Sequence, residues 1–186
     1  MRRFDDLVVL MCSFFNNHNV DYFIRGGVAV ILQGRFRTTE DIDVIIDPVT
    51  FPINEFVKFC EINNLTVNHY DLVEEKRDDS QITIQDFPNS IRIDLKYVFS
   101  KWEKMAIIDT NSIQYKNVKL KVLKPEYLII NKIYKGSRID IEDAYSVFFQ
   151  NKERLDVSLI QKLVLLFGVR DEYDEFMKRS SEVDEK

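Results

Sequence analysis

Residues 20–47, VDYFIRGGVAVILQGRFRTTEDIDVIID, decide how the chain is read. An apolar run at 20–24 ends at Arg25 and the pair Gly26-Gly27. A short apolar segment follows at 28–32, then a polar connection carrying Arg35, Arg37, Thr38 and Thr39. A second run opens with Asp41-Ile42-Asp43. The pattern predicts a strand, a glycine turn, the start of a helix, a loop and a second strand. Alternate side chains of a strand share a face, so Asp41, Asp43 and Asp47 should lie on one side of the second strand, with Ile42, Val44 and Ile46 on the other.

Two carboxylates at this spacing have Cα atoms only about 6.6 Å apart. With their charges ~4 Å apart, the repulsion is about 4 kcal/mol at an effective dielectric of 20. A fold avoids that cost by solvating the pair, protonating one member, or placing a cation between them. The last option suits a hard, oxygen-seeking ion such as magnesium. The glycine pair suits a phosphate partner of that ion. Glycine lets the backbone turn sharply and lets a ligand approach, and a helix beginning there offers unpaired N–H groups.

Taken together, the glycine pair, the thirteen residues between Gly27 and Asp41, and the Asp-apolar-Asp-apolar run resemble the nucleotidyltransferase superfamily that includes DNA polymerase beta. Within it, the Gly-Gly form with Arg37, Thr38 and Thr39 before the carboxylates looks most like the small AbiEii-like prokaryotic group, many of which sit in toxin–antitoxin pairs. The resemblance spans roughly residues 20–150. It implies an α/β nucleotidyltransferase fold, a short mixed sheet flanked by helices with a helical C-terminal part. Two departures stand out. Arg25 precedes the glycines where many relatives are apolar, and Gly27 replaces a serine, which removes one hydroxyl contact to phosphate and leaves backbone N–H groups in its place.

The remaining chain reads in order. Helical spacing of Phe4, Leu7, Val8, Met11, Phe14 and Phe15 predicts a core-packing helix over 3–18. A loop at 48–52, bracketed by prolines, precedes a helix at 53–62. Residues 65–73 suit a strand, 74–80 an exposed turn, and 81–86 an alternating strand. In 91–98, Ile91, Ile93, Leu95 and Tyr97 alternate with Arg92, Asp94 and Lys96, which places Asp94 on the polar face of a strong strand. A short helix at 99–108, a hairpin at 112–123, a helix begun by Pro125 and a last apolar helix at 155–167 complete the list. The expected organisation is a nucleotidyltransferase core at 1–124, a helical part at 125–170, and an acidic, frayed tail at 171–186.

The resemblance also implies site residues. Asp41 and Asp43 would hold two magnesium ions, and a third carboxylate from a later strand beside them would complete the acceptor side; Asp94 is the candidate and Asp86 the reserve. Gly26, Gly27, Arg37 and Thr39 would seat the nucleotide. A second, looser motif, a Pro-Glu helix start followed by Lys132, Arg138, Asp140 and Asp143, would set Lys132 on the phosphates and the two acids along the pocket. The implied activity moves a nucleoside monophosphate from an NTP to an acceptor hydroxyl on RNA (tRNA among the options), protein or a small molecule, and releases pyrophosphate. A toxin role with an antitoxin partner follows from the AbiEii-like form. The alternative is a catalytically silent nucleotide- or protein-binding module of the same fold.

Composition narrows the class. The 186 residues are 45% hydrophobic and 31% charged, with a net charge of −5. This is a globular balance and not that of a general polyanion binder. No run approaches the roughly 18 apolar residues needed to span a membrane. Asp5 and Asp6 interrupt the basic-then-apolar N-terminus and argue against a signal peptide. Two cysteines and two histidines suggest buried thiols rather than a disulfide framework or zinc site, and the chain reads as cytoplasmic. Between residues 116 and 138 lie seven basic residues and one acid, a band able to face phosphates.

Overall fold

The computed structural model describes residues 2–74 and 80–184. Most of the turn expected at 74–80, and the last two residues of the acidic tail, lie outside the described residues. By contact the chain divides into two units, Met1–Val28 with Thr38–Leu123, and Ala29–Arg37 with Lys124–Lys186.

The first unit is built on a mixed six-stranded sheet. Its strands are β1 (Tyr22–Ile24), β2 (Asp41–Ile46), β3 (Gln81–Asp86), β4 (Ile91–Tyr97), β5 (Asn111–Tyr115) and β6 (Val118–Val122). They lie in the order β3-β4-β2-β1-β6-β5. β2 runs parallel to β4 and antiparallel to β1, and β1 runs parallel to β6. The outer strands β3 and β5 are antiparallel to their neighbours. The parallel pairs require crossover connections, and helices accompany the sheet as in other α/β folds. Those of this unit are α1 (Phe4–Asn17), α3 (Ile53–Ile62), α4 (His69–Glu74) and α5 (Lys101–Ala106), while α2 (Gly26–Gln33) begins at the glycine pair.

β1 is buried at all three positions. Tyr22 packs against Phe15 of α1 (ring centroids 4.9 Å) and Phe23 against Trp102 of α5 (6.4 Å). A central strand covered on both faces has no reason to alternate, hence its unbroken apolar sequence. Phe15, Phe51 and Phe56 continue the core, the last two 4.9 Å apart. Full burial of each such side chain contributes about 1.5–3 kcal/mol. Ser100 caps α5 by accepting from the Glu103 N–H, and Glu103 returns the bond to the Ser100 N–H, forming a capping box.

The second unit is helical. α6 (Pro125–Lys135) has proline in its first turn and left-handed Gly136 after its last. α7 (Arg138–Asn151) is capped by Ser137 and α8 (Val157–Phe167) by Asp156. α9 (Arg170–Asp184) follows. Ile129, Ile130, Ile133, Val147, Ile160, Leu163 and Phe176 form its interior.

Several expectations change. The strand expected at 65–73 is reduced to a single bridge, Thr66 with Gln85. The Asn68 side chain accepts the Tyr70 N–H (3.0 Å) and starts α4 instead. β2 ends at Ile46, and Asp47 turns away to accept the Val49 N–H of its own loop (2.8 Å). The acidic stretch expected to fray is helix α9, anchored by Phe176, which stacks on Tyr145 with centroids 4.4 Å apart. Residues of the basic band are paired with acids of the chain. Lys116 pairs with Asp5 and Asp6, Lys121 with Asp21, Lys132 with Asp140 and Asp143, and Arg138 with Glu142. Among the described residues, no helix is long and apolar enough to cross a membrane.

Candidate active site

The glycine turn and the Asp-x-Asp strand meet in the first unit. The Arg25 N–H donates to the Asp43 carbonyl (3.0 Å), which joins the end of β1 to the middle of β2. Gly26 then takes φ +64°, and a Cβ built there would lie 1.8 Å from Asp43 Oδ2. Residue 26 must therefore be glycine on two grounds, the left-handed backbone and the carboxylate against it.

Asp41 and Asp43 project from one face of β2 and are partly exposed, while Ile42 and Val44 on the other face are buried. β4 lies parallel beside them in a register that pairs Asp41 with Arg92 and Asp43 with Asp94. The three expected carboxylates thus occupy adjacent strands. Asp94 does not face open solvent as a polar-face residue would; it is 5% exposed. Covering that face also buries Lys96, which is neutralised by Glu103 at 2.7 Å. The reserve carboxylate, Asp86, lies on the outer strand β3, where Arg2 (2.9 Å) and the Asn89 amide (2.7 Å) hold it.

Local partners orient each carboxylate. The Thr39 hydroxyl donates to Asp41 Oδ1 (3.0 Å) and that of Thr83 to Asp94 Oδ1 (3.3 Å). Arg92 Nη2 lies 3.1 Å from Asp41 Oδ2 and 3.0 Å from Asp94 Oδ2. Arg25 Nε lies 4.0 Å from Asp43 Oδ1. The like-charge cost anticipated from the spacing is thus met by cations, and these are arginines of the chain itself.

Three carboxylates on paired strands match the donor chemistry of a hard divalent ion. Among the described residues, however, no three His, Cys, Asp or Glu side chains are gathered closely enough to hold a metal as they stand. Arg92 lies on oxygens of two of the three. The residues fit magnesium in the kind of donor they offer, and the cation that holds them here is Arg92.

The second set of expected residues forms its own cluster in the second unit. Asp143 is fully buried. Its Oδ1 accepts from Arg35 Nε (3.1 Å) and Nη2 (3.0 Å), and its Oδ2 from Arg37 Nη1 (2.7 Å) and Lys132 Nζ (3.0 Å). Lys132 also donates to Asp140 (2.7 Å). Burial raises the Asp140 pKa, but hydrogen bonds from Lys132 and Ser137 outweigh it, and the carboxyl lies below its ordinary value. Arg37, Lys132, Asp140 and Asp143 are therefore brought together as one ion network. Arg35, Arg92 and Thr83 complete these clusters and carried no expectation. For Arg92 the signal was present, since it stands two residues before Asp94 on the same strand face.

The glycine turn and three carboxylates on adjacent strands of a mixed sheet are the features that the nucleotidyltransferase resemblance rests on or implies. Residues 4–180 match the family described as nucleotidyltransferase of unknown function (DUF6036), and the chain belongs to it. No curated protein matches the sequence. Among solved structures, the chain is similar to ANT(2")-Ia in complex with adenylyl-2"-tobramycin, at 16% identity and TM-score 0.58, over 88% of this chain and 96% of that one. It is similar to an antigenic nucleotidyltransferase-like protein from Paracoccidioides brasiliensis, at 17% identity and TM-score 0.54, over 92% and 90%. It is also similar to the lincosamide antibiotic adenylyltransferase LnuA with lincomycin bound, at 18% identity and TM-score 0.53, over 78% and 96%. At these identities the likeness shows the fold. The family match bears out the superfamily resemblance and does not extend to its finer AbiEii-like form.

Proposed function

We propose that the chain is a magnesium-dependent nucleotidyltransferase that moves a nucleoside monophosphate from an NTP to a hydroxyl of a small molecule. The observation that carries this is the register of β2 and β4, which sets Asp94 beside Asp43, the residue that lies against the Gly26 turn. The small-molecule acceptor is favoured by the solved structures of the same fold, one holding adenylyl-tobramycin and another lincomycin. The comparisons lend no support to a tRNA acceptor or an antitoxin partner.

In the proposed reaction the acceptor oxygen attacks the α-phosphorus, the bond to the β-phosphate oxygen breaks, and pyrophosphate leaves. Asp41, Asp43 and Asp94 would hold magnesium, which when bound would supply neutralisation of phosphate charge and acidification of the hydroxyl. Asp94 takes the acceptor proton. Backbone N–H groups of Gly26 and Gly27, at the start of α2, seat the phosphates. Thr39 holds Asp41 in orientation through its hydroxyl. Arg37, Lys132, Asp140 and Asp143 enter as one charge network rather than as four separate nucleotide contacts.

One observation favours the silent-module reading, namely Arg92 on the oxygens of Asp41 and Asp94. A transfer assay separates the two. The protein is incubated with each NTP, magnesium and hydroxylated small molecules of aminoglycoside and lincosamide type, with pyrophosphate release and product mass as readouts. The enzyme reading predicts release by wild type and none by the Asp41→Ala/Asp43→Ala double variant with unchanged circular dichroism. Equal release by the two proteins overturns it.

A further inference from the structure

We infer that Arg92 is a resident counter-ion that exchanges with the divalent cation, so that metal entry is one-for-one replacement of a guanidinium rather than occupation of an open site. The inference rests on reading Asp41, Asp43 and Asp94 as metal ligands, and it concerns what governs that site.

The pattern of oxygens points to it. Asp41 gives Oδ1 to Thr39 and Oδ2 to Arg92, and Asp94 gives Oδ1 to Thr83 and Oδ2 to Arg92. On each residue, the oxygen left by the threonine is the one the guanidinium holds. A divalent cation held by Asp41 and Asp94 would compete with Arg92 for these carboxylates, whose other oxygens are engaged by threonines. Register makes this so. Arg92 pairs directly with Asp41 across the strands and stands two residues from Asp94 on one face. A single nitrogen, Nη2, serves both carboxylates.

Burial makes the exchange obligatory in one direction and easy in the other. The Asp94 side chain is 4% exposed, and a buried carboxylate stripped of its counter-ion is strongly disfavoured. Arg92 cannot leave unless another cation arrives. Its own side chain is 52% exposed, so it moves into water without disturbing the core. The released guanidinium, at the mouth of the site, is then available to an anionic ligand such as a nucleotide phosphate. Arg92 thus lowers metal affinity in the free protein and is a positioning residue for the two carboxylates.

The test is manganese binding, measured as free Mn²⁺ by electron paramagnetic resonance, on the full chain without nucleotide. Wild type is compared with Arg92→Ala, with Arg92→Gln, which keeps length and loses charge, and with Arg92→Gln/Asp43→Asn. Removal of the competing cation should tighten Mn²⁺ binding about tenfold, and the gain should vanish in the double variant. Melting temperature should rise more with Mn²⁺ in the Arg92 variants than in wild type. If wild type binds Mn²⁺ and the Arg92 variants bind it equally or more weakly, the exchange is overturned while the metal site stands. If neither wild type nor the variants bind Mn²⁺ up to millimolar concentration, the site reading and the exchange fall together. Arg92→Gln decides alone if Arg92→Ala does not fold.

Discussion

Gly26 shows how tightly single positions are fixed around the candidate site. Its φ of +64° disfavours any L side chain, and an added Cβ would drive into Asp43. Gly26→Ala should lower stability by about 1–3 kcal/mol from backbone strain alone. It should also displace the Asp43 carboxylate, so denaturant unfolding and metal binding should weaken together. Asp143 is the matching case in the second unit. Its two oxygens serve Arg35, Arg37 and Lys132. Asp143→Ala removes the fully buried carboxylate these three cations share, leaving Lys132 to Asp140 and Arg35 to Glu142, and should cost about 3 kcal/mol; a loss under ~1 kcal/mol would show that the network is solvated. At this scale the sequence was informative about which residues carry charge and less so about their partners. The spacing of Asp41 and Asp43 left solvation, protonation or a cation open, and the choice depended on register, which brings Arg92 across from the neighbouring strand.

Among the elements, α9 is the clearest lesson. Its composition reads as a solvated acidic tail, and the helix is held through Phe176 against Tyr145 and Phe148, with centroids 4.4 and 5.6 Å away. Two aromatics, Tyr173 and Phe176, in a charged stretch are a weak pattern, yet full burial of a phenylalanine outweighs many surface charges. Phe176→Ala should destabilise the protein by about 3–5 kcal/mol, with faster amide exchange along α9; a change limited to a few tenths would mean that α9 contributes little. β4 gave the opposite outcome. Its alternation correctly predicted a strand, and its polar face proved largely buried, since Asp94 and Lys96 are neutralised by Arg92 and Glu103. Alternation fixes which residues share a face and leaves open whether that face meets water. The stretch at 65–73 fails for a local reason, the Asn68 side chain starting a helix.

For the whole molecule, the strand order β3-β4-β2-β1-β6-β5 could not be derived from pattern alone, because the crossovers that set it join segments far apart in sequence. The position of the third carboxylate came from resemblance, and the β2–β4 register places it beside Asp43. Stability should be lost on the acid side. Asp5 and Asp6 are lowered by a hydrogen bond from Lys116 and Glu142 by one from Arg138. For Glu103 and Asp140, burial acts upward and is outweighed by bonds from Lys96 and Lys132 respectively. A depressed carboxylate contributes fully above its unfolded value, about 3.9 for aspartate and 4.3 for glutamate, and loses that contribution as pH falls through the folded value. Melting temperature should therefore drop steeply below about pH 4, and Asp140→Asn should make that drop shallower; an unchanged acid slope would remove Asp140 from the account. The central claim, a magnesium-dependent nucleotide site on Asp41 and Asp43, is tested most directly by calorimetry with ATP, GTP, CTP and UTP, with and without magnesium, on wild type and Asp41→Ala/Asp43→Ala. The account predicts binding of at least one NTP that requires magnesium and disappears in the double variant. Binding of no NTP, or binding indifferent to the two aspartates, would contradict it.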